Sequence, residues 1–240
     1  MTAPTREELA ALAEAVEGAA PQAILTAAAE RFPGRIALAC SFGAEDCVLV
    51  DVVARSRLAI DIFTLDTGYL FPETYELWKR LEARYRVAVR AARADLPAPD
   101  PARPPPWEID PDGCCAARKV VPLRTALGGL AAWVTGIRRD QTPDRAQARV
   151  FEWDARFGLA KVNPLAGWTA AEVWAHVKRF EVPVSPLHTL GYASIGCAPC
   201  TSPVAEGEDP RAGRWRGRAK TECGLHARGP AAPAEEPSRS

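Results

Sequence analysis

The sequence predicts an α/β domain with a doubly wound, mainly parallel sheet. From residue 35 onward, short apolar runs typical of buried strands alternate with stretches that have the apolar spacing of helices. Several of these runs end in a turn of small and polar residues, as strands do at the binding edge of an open sheet. The chain has 240 residues, 48% hydrophobic and 25% charged, which is enough for one such domain with a sizeable core.

Charge and hydropathy exclude several classes of protein. The 30 basic side chains balance 30 acidic ones, so no overall field attracts nucleic acid or a membrane, and any anion site must be local. The chain contains no long apolar run, and its first residues lack the basic start and apolar centre of a signal peptide. We therefore expect a cytoplasmic protein with no nucleic-acid or membrane partner. The sequence leaves a homo-oligomer open.

The first segment, residues 1–34, is predicted to be helical. Thr5 followed by Glu8 forms a capping-box pattern, and the stretch behind it is rich in Ala, Leu and Glu. We interpret this stretch as one or two amphipathic helices, broken at Gly18 and Pro21. We interpret the segment as a packing element.

A strand, a turn of small residues and a helix follow, over residues 35–40, 41–46 and 47 to about 54. Such an arrangement can cradle a phosphate, because Gly43 lets the backbone approach and free N–H groups at the start of a helix favour an anion. Ser41 opens the turn and offers a hydroxyl. The same turn begins many ordinary βα units, so from these residues alone binding and simple connection remain equally open.

The second strand, residues 59–64, leads directly into Asp66 and Gly68. Ligands in open parallel sheets bind at this end of a strand, where Asp66 could accept from a ribose or an amino group. The alternative is that Asp66 caps the next helix, residues 73–85. A third strand is predicted over residues 87–90.

The proline-rich residues 96–107 are interpreted as a long surface loop, since βα alternation resumes beyond them. A helix is then expected from Cys114 to about Leu127, with a kink at Pro122.

The strand over residues 131–136 ends just before Arg138, whose guanidinium at the binding edge of the sheet suits phosphate or sulfate. Residues 161–165 are another strand or edge segment, and residues 168–180 have helical spacing with Thr169 as N-cap.

Two cysteine pairs, Cys114 with Cys115 and Cys197 with Cys200, are the strongest chemical signal in the chain. A Cys-x-x-Cys turn is a common half-site for zinc or an iron–sulfur cluster. Adjacent cysteines on a helix diverge by about 100° and converge poorly on one ion, whereas a cluster gives each iron its own ligand. We therefore favour a 4Fe-4S cluster over zinc. The alternatives are buried inert thiols or a disulfide, against which the lack of a secretory signal argues.

The C-terminal region combines cations with a further cysteine. Five cations fall within ten residues and form a local anion trap: Arg211, Arg214, Arg216, Arg218 and Lys220. Cys223 and His226 follow, surroundings that lower the pKa of a thiol and leave it accessible, although a tail cysteine without a role is the alternative. Lys119, near the paired cysteines, could offset thiolate charge or be a solvated lysine. Residues 227–240 are expected to be a disordered tail.

Seven motifs together resemble the thioredoxin-dependent assimilatory adenylyl-sulfate reductases of the PAPS reductase family. They occupy residues 41–46, 65–68, 114–119, 133–141, 161–165, 191–201 and 222–226. The resemblance covers residues 35–226 and implies a single reductase domain with an adenine nucleotide α-hydrolase-like sheet. It also implies a 4Fe-4S cluster on the four paired cysteines and a catalytic nucleophile, Cys223, in a C-terminal tail.

The resemblance implies a reaction of sulfate assimilation and cysteine biosynthesis. The Cys223 thiolate attacks the sulfur of adenosine 5′-phosphosulfate (APS), AMP leaves, and thioredoxin releases sulfite from the S-sulfonated cysteine. Lys119, Arg211 and Arg214 suit neutralisation of the leaving phosphate. Ser41, Gly43 and Asp66 would hold the nucleotide.

Three rival functions remain at this point. The nearest is reduction of the 3′-phosphorylated substrate, PAPS, whose reductases characteristically lack the cluster cysteines. A tRNA-thiolating ATP pyrophosphatase is another, although residues 41–46 lack the fuller Ser-Gly-Gly-x-Asp-Ser pattern of ATP-cleaving relatives. The third is an iron–sulfur sensor without catalysis. Residues 216–220 depart from the Trp-rich stretch of many family members, so contacts there do not transfer.

Overall fold

The computed structural model of the protein describes residues 4–97, 102–218, 220 and 223–225. Its centre is a six-stranded sheet in the order β3-β2-β1-β4-β6-β5, in which only β5 runs antiparallel to its neighbour. The strands are β1 (Ile36–Ala39), β2 (Asp61–Leu65), β3 (Val89–Ala92), β4 (Ala132–Val134), β5 (Phe151–Asp154) and β6 (Leu159–Val162). The predicted mainly parallel α/β sheet is confirmed.

Eight α-helices accompany the sheet in the described ranges. They are α1 (Arg6–Ala15), α2 (Pro21–Arg31), α3 (Ala44–Arg55), α4 (Pro72–Tyr85), α5 (Pro106–Ile109), α6 (Pro111–Cys115), α7 (Val121–Leu127) and α8 (Ala170–Phe180). The predicted capping boxes are partly realised: the N–H of Glu8 donates to Thr5 in α1, and Thr169 and Glu172 cap α8 reciprocally. None of these helices combines the length and apolar character needed to cross a lipid bilayer.

Both faces of the sheet are buried, which is why the strands read as apolar runs. In β1, Ile36 and Leu38 belong to a large core that includes residues of α2, α3, α4 and α8. Ala37 points the other way, into a smaller cluster with Phe63 and Leu123. Helices on both faces make the sheet doubly wound, as predicted. The N-terminal helices add Leu9 and other apolar side chains to the large core.

The helix that carries the paired cysteines differs from the prediction. It begins at Pro111 and widens into a π-helical turn, Ala116–Val120, where the Val121 N–H bonds the carbonyl of Ala116. Pro122 has no N–H and would crowd the carbonyl of residue 118 in a regular helix, and the wider turn before it accommodates the proline; the kink at Pro122 stays a prediction.

Two further elements differ from the sequence-based expectation. β5 was not predicted, and it pairs with β6 at the edge of the sheet. Within the proline-rich loop, Pro106 starts the short helix α5, because proline is favoured in the first turn of a helix. The proposed disordered tail, residues 227–240, lies outside the described residues.

Candidate active site

A cavity of about 800 Å³ opens at the carboxyl ends of β1 and β4. The chain passes from β1 to β2 on one side of this strand pair and from β4 to β5 and β6 on the other side. The cavity therefore lies at the topological switch point where open α/β sheets bind ligands. The turn after β1, the segment after β4 and the loops around residues 194–196 and 209–214 line it.

The turn after β1 forms one wall of this cavity, and both Ser41 and Gly43 line it. Gly43 precedes α3 and has no side chain, so no N-cap side chain accepts from the first N–H groups of that helix. Phe42 has a left-handed backbone (φ 63°) and stacks on Trp78 with ring centroids 5.5 Å apart. This anchored Phe42 fixes the turn in a form able to present backbone donors to an anion.

Close approach of β4 to α3 requires Gly136. A Cβ at this position would overlap the carboxylate of Asp46, which is itself 6% exposed. Gly136 and Asp46 both line the cavity, so the glycine lets the segment after β4 and helix α3 approach each other in the cavity wall.

Carboxylates neutralise the guanidinium of Arg138 in the cavity wall. Arg138, only 7% exposed, donates from Nε to Glu45 at 2.9 Å and also pairs with Asp140. Gln141 Nε2 donates to the same Glu45 oxygen at 3.1 Å. Arg138 lines the cavity as its sequence position indicated, but its charge is already balanced by carboxylates.

Asp66 and Gly68 lie outside the set of described residues that line the cavity. The Asp66 carboxylate accepts from the Gly68 N–H at 3.0 Å and from the Tyr75 hydroxyl at 2.8 Å, and it pairs with Arg93. These partners, despite the opposing effect of burial, hold the pKa of Asp66 below its ordinary value. The ribose contact expected for Asp66 stays a prediction; Thr67, between the two residues, does line the cavity.

Cys223 lies in a basic part of the cavity wall. Lys119, Arg211 and Arg214 line the cavity together with this thiol. Lys119 is 9% exposed; burial alone lowers its pKa, but the adjacent thiols of Cys223 and Cys197 raise it above the ordinary value. Cys223 thus shares one enclosed space with the cations predicted to accompany it.

Arg214 reaches this space because of Gly196. A Cβ at residue 196 would overlap the guanidinium of Arg214. The Nη1 atom of Arg214 lies 3.4 Å from both the Ser194 hydroxyl and the Ile195 carbonyl. The loop before Cys197 therefore positions an active-site cation as well as a thiol.

The four paired cysteines line one small pocket beside the cavity, although two of them are far from the other two in sequence. Cys114 and Cys115 end α6, and Cys197 and Cys200 flank a short 3-10 turn. Cys197 Sγ lies 3.3 Å from the Thr67 hydroxyl. Within the described ranges, no three His, Cys, Asp or Glu side chains take the geometry of a site for one metal ion.

Two buried donors in the wall of this pocket have no hydrogen-bond partner among the described residues: the Tyr69 hydroxyl and the Trp215 indole N–H. Buried polar groups are rarely left unpaired in proteins. Four thiols and two unpaired donors fit a sulfur-rich group, since thiolates ligate iron and cluster sulfurs accept hydrogen bonds.

Among the predicted site residues, Ser41, Gly43, Arg138, Lys119, Arg211, Arg214 and Cys223 line the cavity, and the paired cysteines line the adjoining pocket. His226 lies outside the described residues. Sequence reasoning gave no site role to Thr67, Gly136, Gly196 or Trp215; the glycines lie within predicted motifs, but only the packing reveals what they admit.

Comparison with known proteins agrees with this architecture. The family model described as "Phosphoadenosine phosphosulfate reductase domain" matches residues 35–203. A protein from Gloeobacter violaceus named phosphoadenosine 5′-phosphosulfate reductase is 45% identical over 222 residues, 90% of this chain and 92% of that one. Adenosine 5′-phosphosulfate reductase 1 from Bacillus subtilis is 46% identical over 196 residues, covering 80% of this chain and 84% of that one.

A solved structure is also similar. The phosphoadenylyl-sulfate reductase of Candida auris, in a phosphate complex, superposes with a TM-score of 0.75 at 27% identity and covers 85% of this chain and 99% of that one. With the match to the family model and the two relatives, this confirms the resemblance read from the motifs: the chain is a reductase that belongs to the PAPS reductase family.

Proposed function

We propose that this enzyme reduces adenosine 5′-phosphosulfate to sulfite and AMP in assimilatory sulfate reduction, with a thioredoxin as reductant. One observation carries the proposal: a single cavity joins a phosphate-type βα turn at the sheet edge to Cys223 among three cations. Adenosine 5′-phosphosulfate suits such a cavity, because its sulfur adjoins its phosphate and both fit among the cations at Cys223 while the nucleoside extends towards the sheet edge.

The proposed reaction has two displacement steps. The Cys223 thiolate attacks the sulfur of the substrate, the bond between sulfur and the phosphate oxygen breaks, and AMP leaves with that electron pair. A thioredoxin thiolate then attacks the Cys223 sulfur, so that sulfite leaves with the electrons of the S–S bond and the mixed disulfide is resolved by the second thioredoxin thiol. The dithiol supplies the two electrons, which fits the reducing cytoplasm.

The cations support the first step. The phosphate of AMP gains negative charge as it leaves, and Lys119, Arg211 and Arg214 line the same cavity as Cys223. Preorganised cations in a site shielded from water stabilise such charge far better than they do in bulk solvent. Lys119 is the most enclosed of them, and its raised pKa keeps it protonated.

We further propose that Cys114, Cys115, Cys197 and Cys200 hold a 4Fe-4S cluster. Four thiols around one pocket and the unpaired Trp215 N–H in its wall support this assignment. When bound, the cluster supplies a fixed structural and electrostatic centre next to Lys119, which lines both the pocket and the cavity. Zinc is the alternative occupant.

The charge distribution favours APS over PAPS. The part of the cavity wall around Arg138 carries the carboxylates of Glu45, Asp46 and Asp140, and Arg138 is already paired. A second phosphate on the ribose would meet negative charge there. PAPS reduction remains the second candidate because the Gloeobacter violaceus relative bears that name.

Mass spectrometry tests the central step. The protein, mixed with APS and no reductant, should gain one sulfonate group on the peptide that contains Cys223. Cys223→Ser should gain none, while Cys47→Ala, at a buried position outside the cavity wall, should behave as wild type. A sulfonate on another cysteine, or ATP-dependent AMP release without sulfite, would overturn the assignment.

Metal analysis tests the cluster separately. The purified protein should contain iron and acid-labile sulfide, and Cys197→Ala should lose both together with the visible absorption of the cluster. Zinc in place of iron, or unchanged iron in the variant, would remove the cluster from the proposal and leave the Cys223 chemistry standing.

A further inference from the structure

Tyr69 has a buried hydroxyl without a hydrogen-bond partner among the described residues, and it lines the pocket of the four cysteines. A buried hydroxyl without a hydrogen-bond partner destabilises the folded protein relative to a paired one. The side chain of Tyr69 belongs neither to the sequence motifs nor to the wall of the cavity that holds Cys223.

The backbone of Tyr69 is fixed to the loop that carries Cys197 and Cys200. Its N–H donates to the Thr67 hydroxyl at 3.1 Å, and that hydroxyl lies 3.3 Å from Cys197 Sγ. Its carbonyl accepts from the Ala198 N–H at 2.7 Å, between the cysteines of the Cys-x-x-Cys turn. The position of Tyr69 is thus tied to the loop that supplies two of the thiols.

The ring is also held in place. Trp107 packs edge-on against it, with centroids 4.5 Å apart. The guanidinium of Arg118 lies 4.4 Å from the ring centroid and donates to the Thr67 carbonyl at 3.1 Å. Arg118 comes from the π-helical turn just after Cys115, so the ring lies between Trp107 and the segment that carries Cys114 and Cys115. A ring held this way has little freedom to turn its hydroxyl towards solvent.

We propose that the Tyr69 hydroxyl donates a hydrogen bond to a sulfur of the cluster, and so sets its electronic properties. The inference rests on the cluster proposed above. The pocket supplies the acceptor that the hydroxyl lacks, because thiolate and sulfide are the groups that the four cysteines would bring there. Hydrogen bonds to cluster sulfurs withdraw electron density from iron and raise the reduction potential, most strongly where solvent is excluded.

Tyr69→Phe tests the proposal, because it removes the hydroxyl and keeps the ring with its Trp107 and Arg118 contacts. Wild type, Tyr69→Phe and the matched control Tyr192→Phe would be purified without oxygen and analysed for iron, sulfide and Fe–S vibrations by resonance Raman spectroscopy in H₂O and D₂O. Tyr192 packs against Phe71 and lies outside the pocket wall.

The expected result has three parts. Tyr69→Phe binds iron and sulfide as wild type does, its Fe–S bands move to higher frequency, and part of the D₂O-sensitive shift disappears. Its cluster potential becomes more negative, while Tyr192→Phe matches wild type in every spectrum.

Two outcomes would overturn the role of Tyr69. One is a fully loaded Tyr69→Phe protein whose spectra superimpose on those of wild type in both solvents. The other is a folded Tyr69→Phe protein without iron, since a tuning bond alters spectra and does not decide occupancy. An iron-free wild-type protein would instead refute the cluster itself, so failure of this inference and failure of the proposed function are distinguishable.

Discussion

The backbone N–H and the hydroxyl of Ser41 both donate to one carboxylate oxygen of Asp46, each at 2.6 Å. This pair closes the turn that begins α3 and lines the cavity. Burial nevertheless dominates the carboxyl group and raises the pKa of Asp46 to about 6, with the Ser41 hydrogen bonds opposing it. The pKa of Asp46 in this turn is therefore about 6 in the folded protein, against an ordinary value of 3.8.

Asp46→Asn should change how stability depends on pH. The folded protein binds more protons at Asp46 than the unfolded protein between these two pKa values, so its contribution to stability is lost as pH rises through that window. At about pH 7.5, Asn should raise the free energy of unfolding by on the order of 1–3 kcal/mol relative to wild type, and the gain should shrink towards pH 4. Urea unfolding at both pH values measures this.

The exposed position Asp61 provides the matched control, since Asp61→Asn should shift stability little at either pH. A gain for Asp46→Asn that is the same at both pH values would contradict the assigned titration.

Glu45→Gln should relax the choice between APS and PAPS. Glu45 accepts from Arg138 at 2.9 Å, so its neutralisation both removes a negative charge and leaves the guanidinium less balanced. We expect the ratio of kcat/KM for PAPS to that for APS to rise about tenfold, equivalent to about 1.4 kcal/mol. Steady-state kinetics with both substrates give the ratio.

The control for this change is Glu8→Gln, which breaks a similar carboxylate–guanidinium pair with Arg31 far from the cavity. It should leave the ratio as in wild type. A Glu45→Gln enzyme that still discriminates as wild type does would show that the acidic part of the cavity wall does not select the substrate.

The residues that carry the chemistry of this protein can be predicted from the sequence, whereas the side chains that contact them are harder to predict. The order of strands and helices predicts a binding edge, and cysteine spacing predicts that residues 114–115 and 197–200 meet; the structure places them around one pocket. Asp66 shows the limit of such reasoning. Its position after β2 suits a ligand, but Tyr75 of α4 and Arg93, just after β3, take its carboxylate.

Local pattern also failed where tertiary context decides. The run Phe151–Asp154 alternates apolar and acidic side chains, but four residues are too few to identify a strand by pattern alone, and the run forms a strand where β6 offers an edge for pairing. The role of Gly196 is invisible in sequence for a similar reason, since the side chain it admits is Arg214, 18 positions later.

Lys119→Gln should impair the sulfur-transfer step. Lys119 is buried next to Cys223 and is the best enclosed of the three cations that accompany this thiol, so its removal should lower kcat/KM for APS by about 10²–10³. The rate of sulfonate appearance on Cys223, followed by quenched mass spectrometry, isolates this step from thioredoxin chemistry. Iron content must be measured alongside, because Lys119 also lines the cysteine pocket.

Lys79→Gln serves as the comparison, because Lys79 is 71% exposed and pairs with Glu76 on the surface of α4. It should react at the wild-type rate. An iron-replete Lys119→Gln enzyme with an unchanged rate of sulfonation would exclude Lys119 from charge stabilisation.

Gly196→Ala should misplace Arg214 without removing any charged group. The added Cβ overlaps the guanidinium, which must move from its place beside Ser194 and the Ile195 carbonyl. A displacement of about 1 Å at a positioned catalytic group lowers rates by up to about 100-fold, so we expect kcat/KM for APS to fall between about 10- and 100-fold.

Gly167→Ala is the matched control, because a Cβ there meets only Arg139 Nη1 at 3.9 Å. Since Cys197 is the next residue, the comparison is valid for protein with full iron content. In that protein, wild-type kinetics would mean that Arg214 does not act from the observed position, whereas a loss in Gly196→Ala alone ties the conformation of the cysteine loop to the chemistry at Cys223.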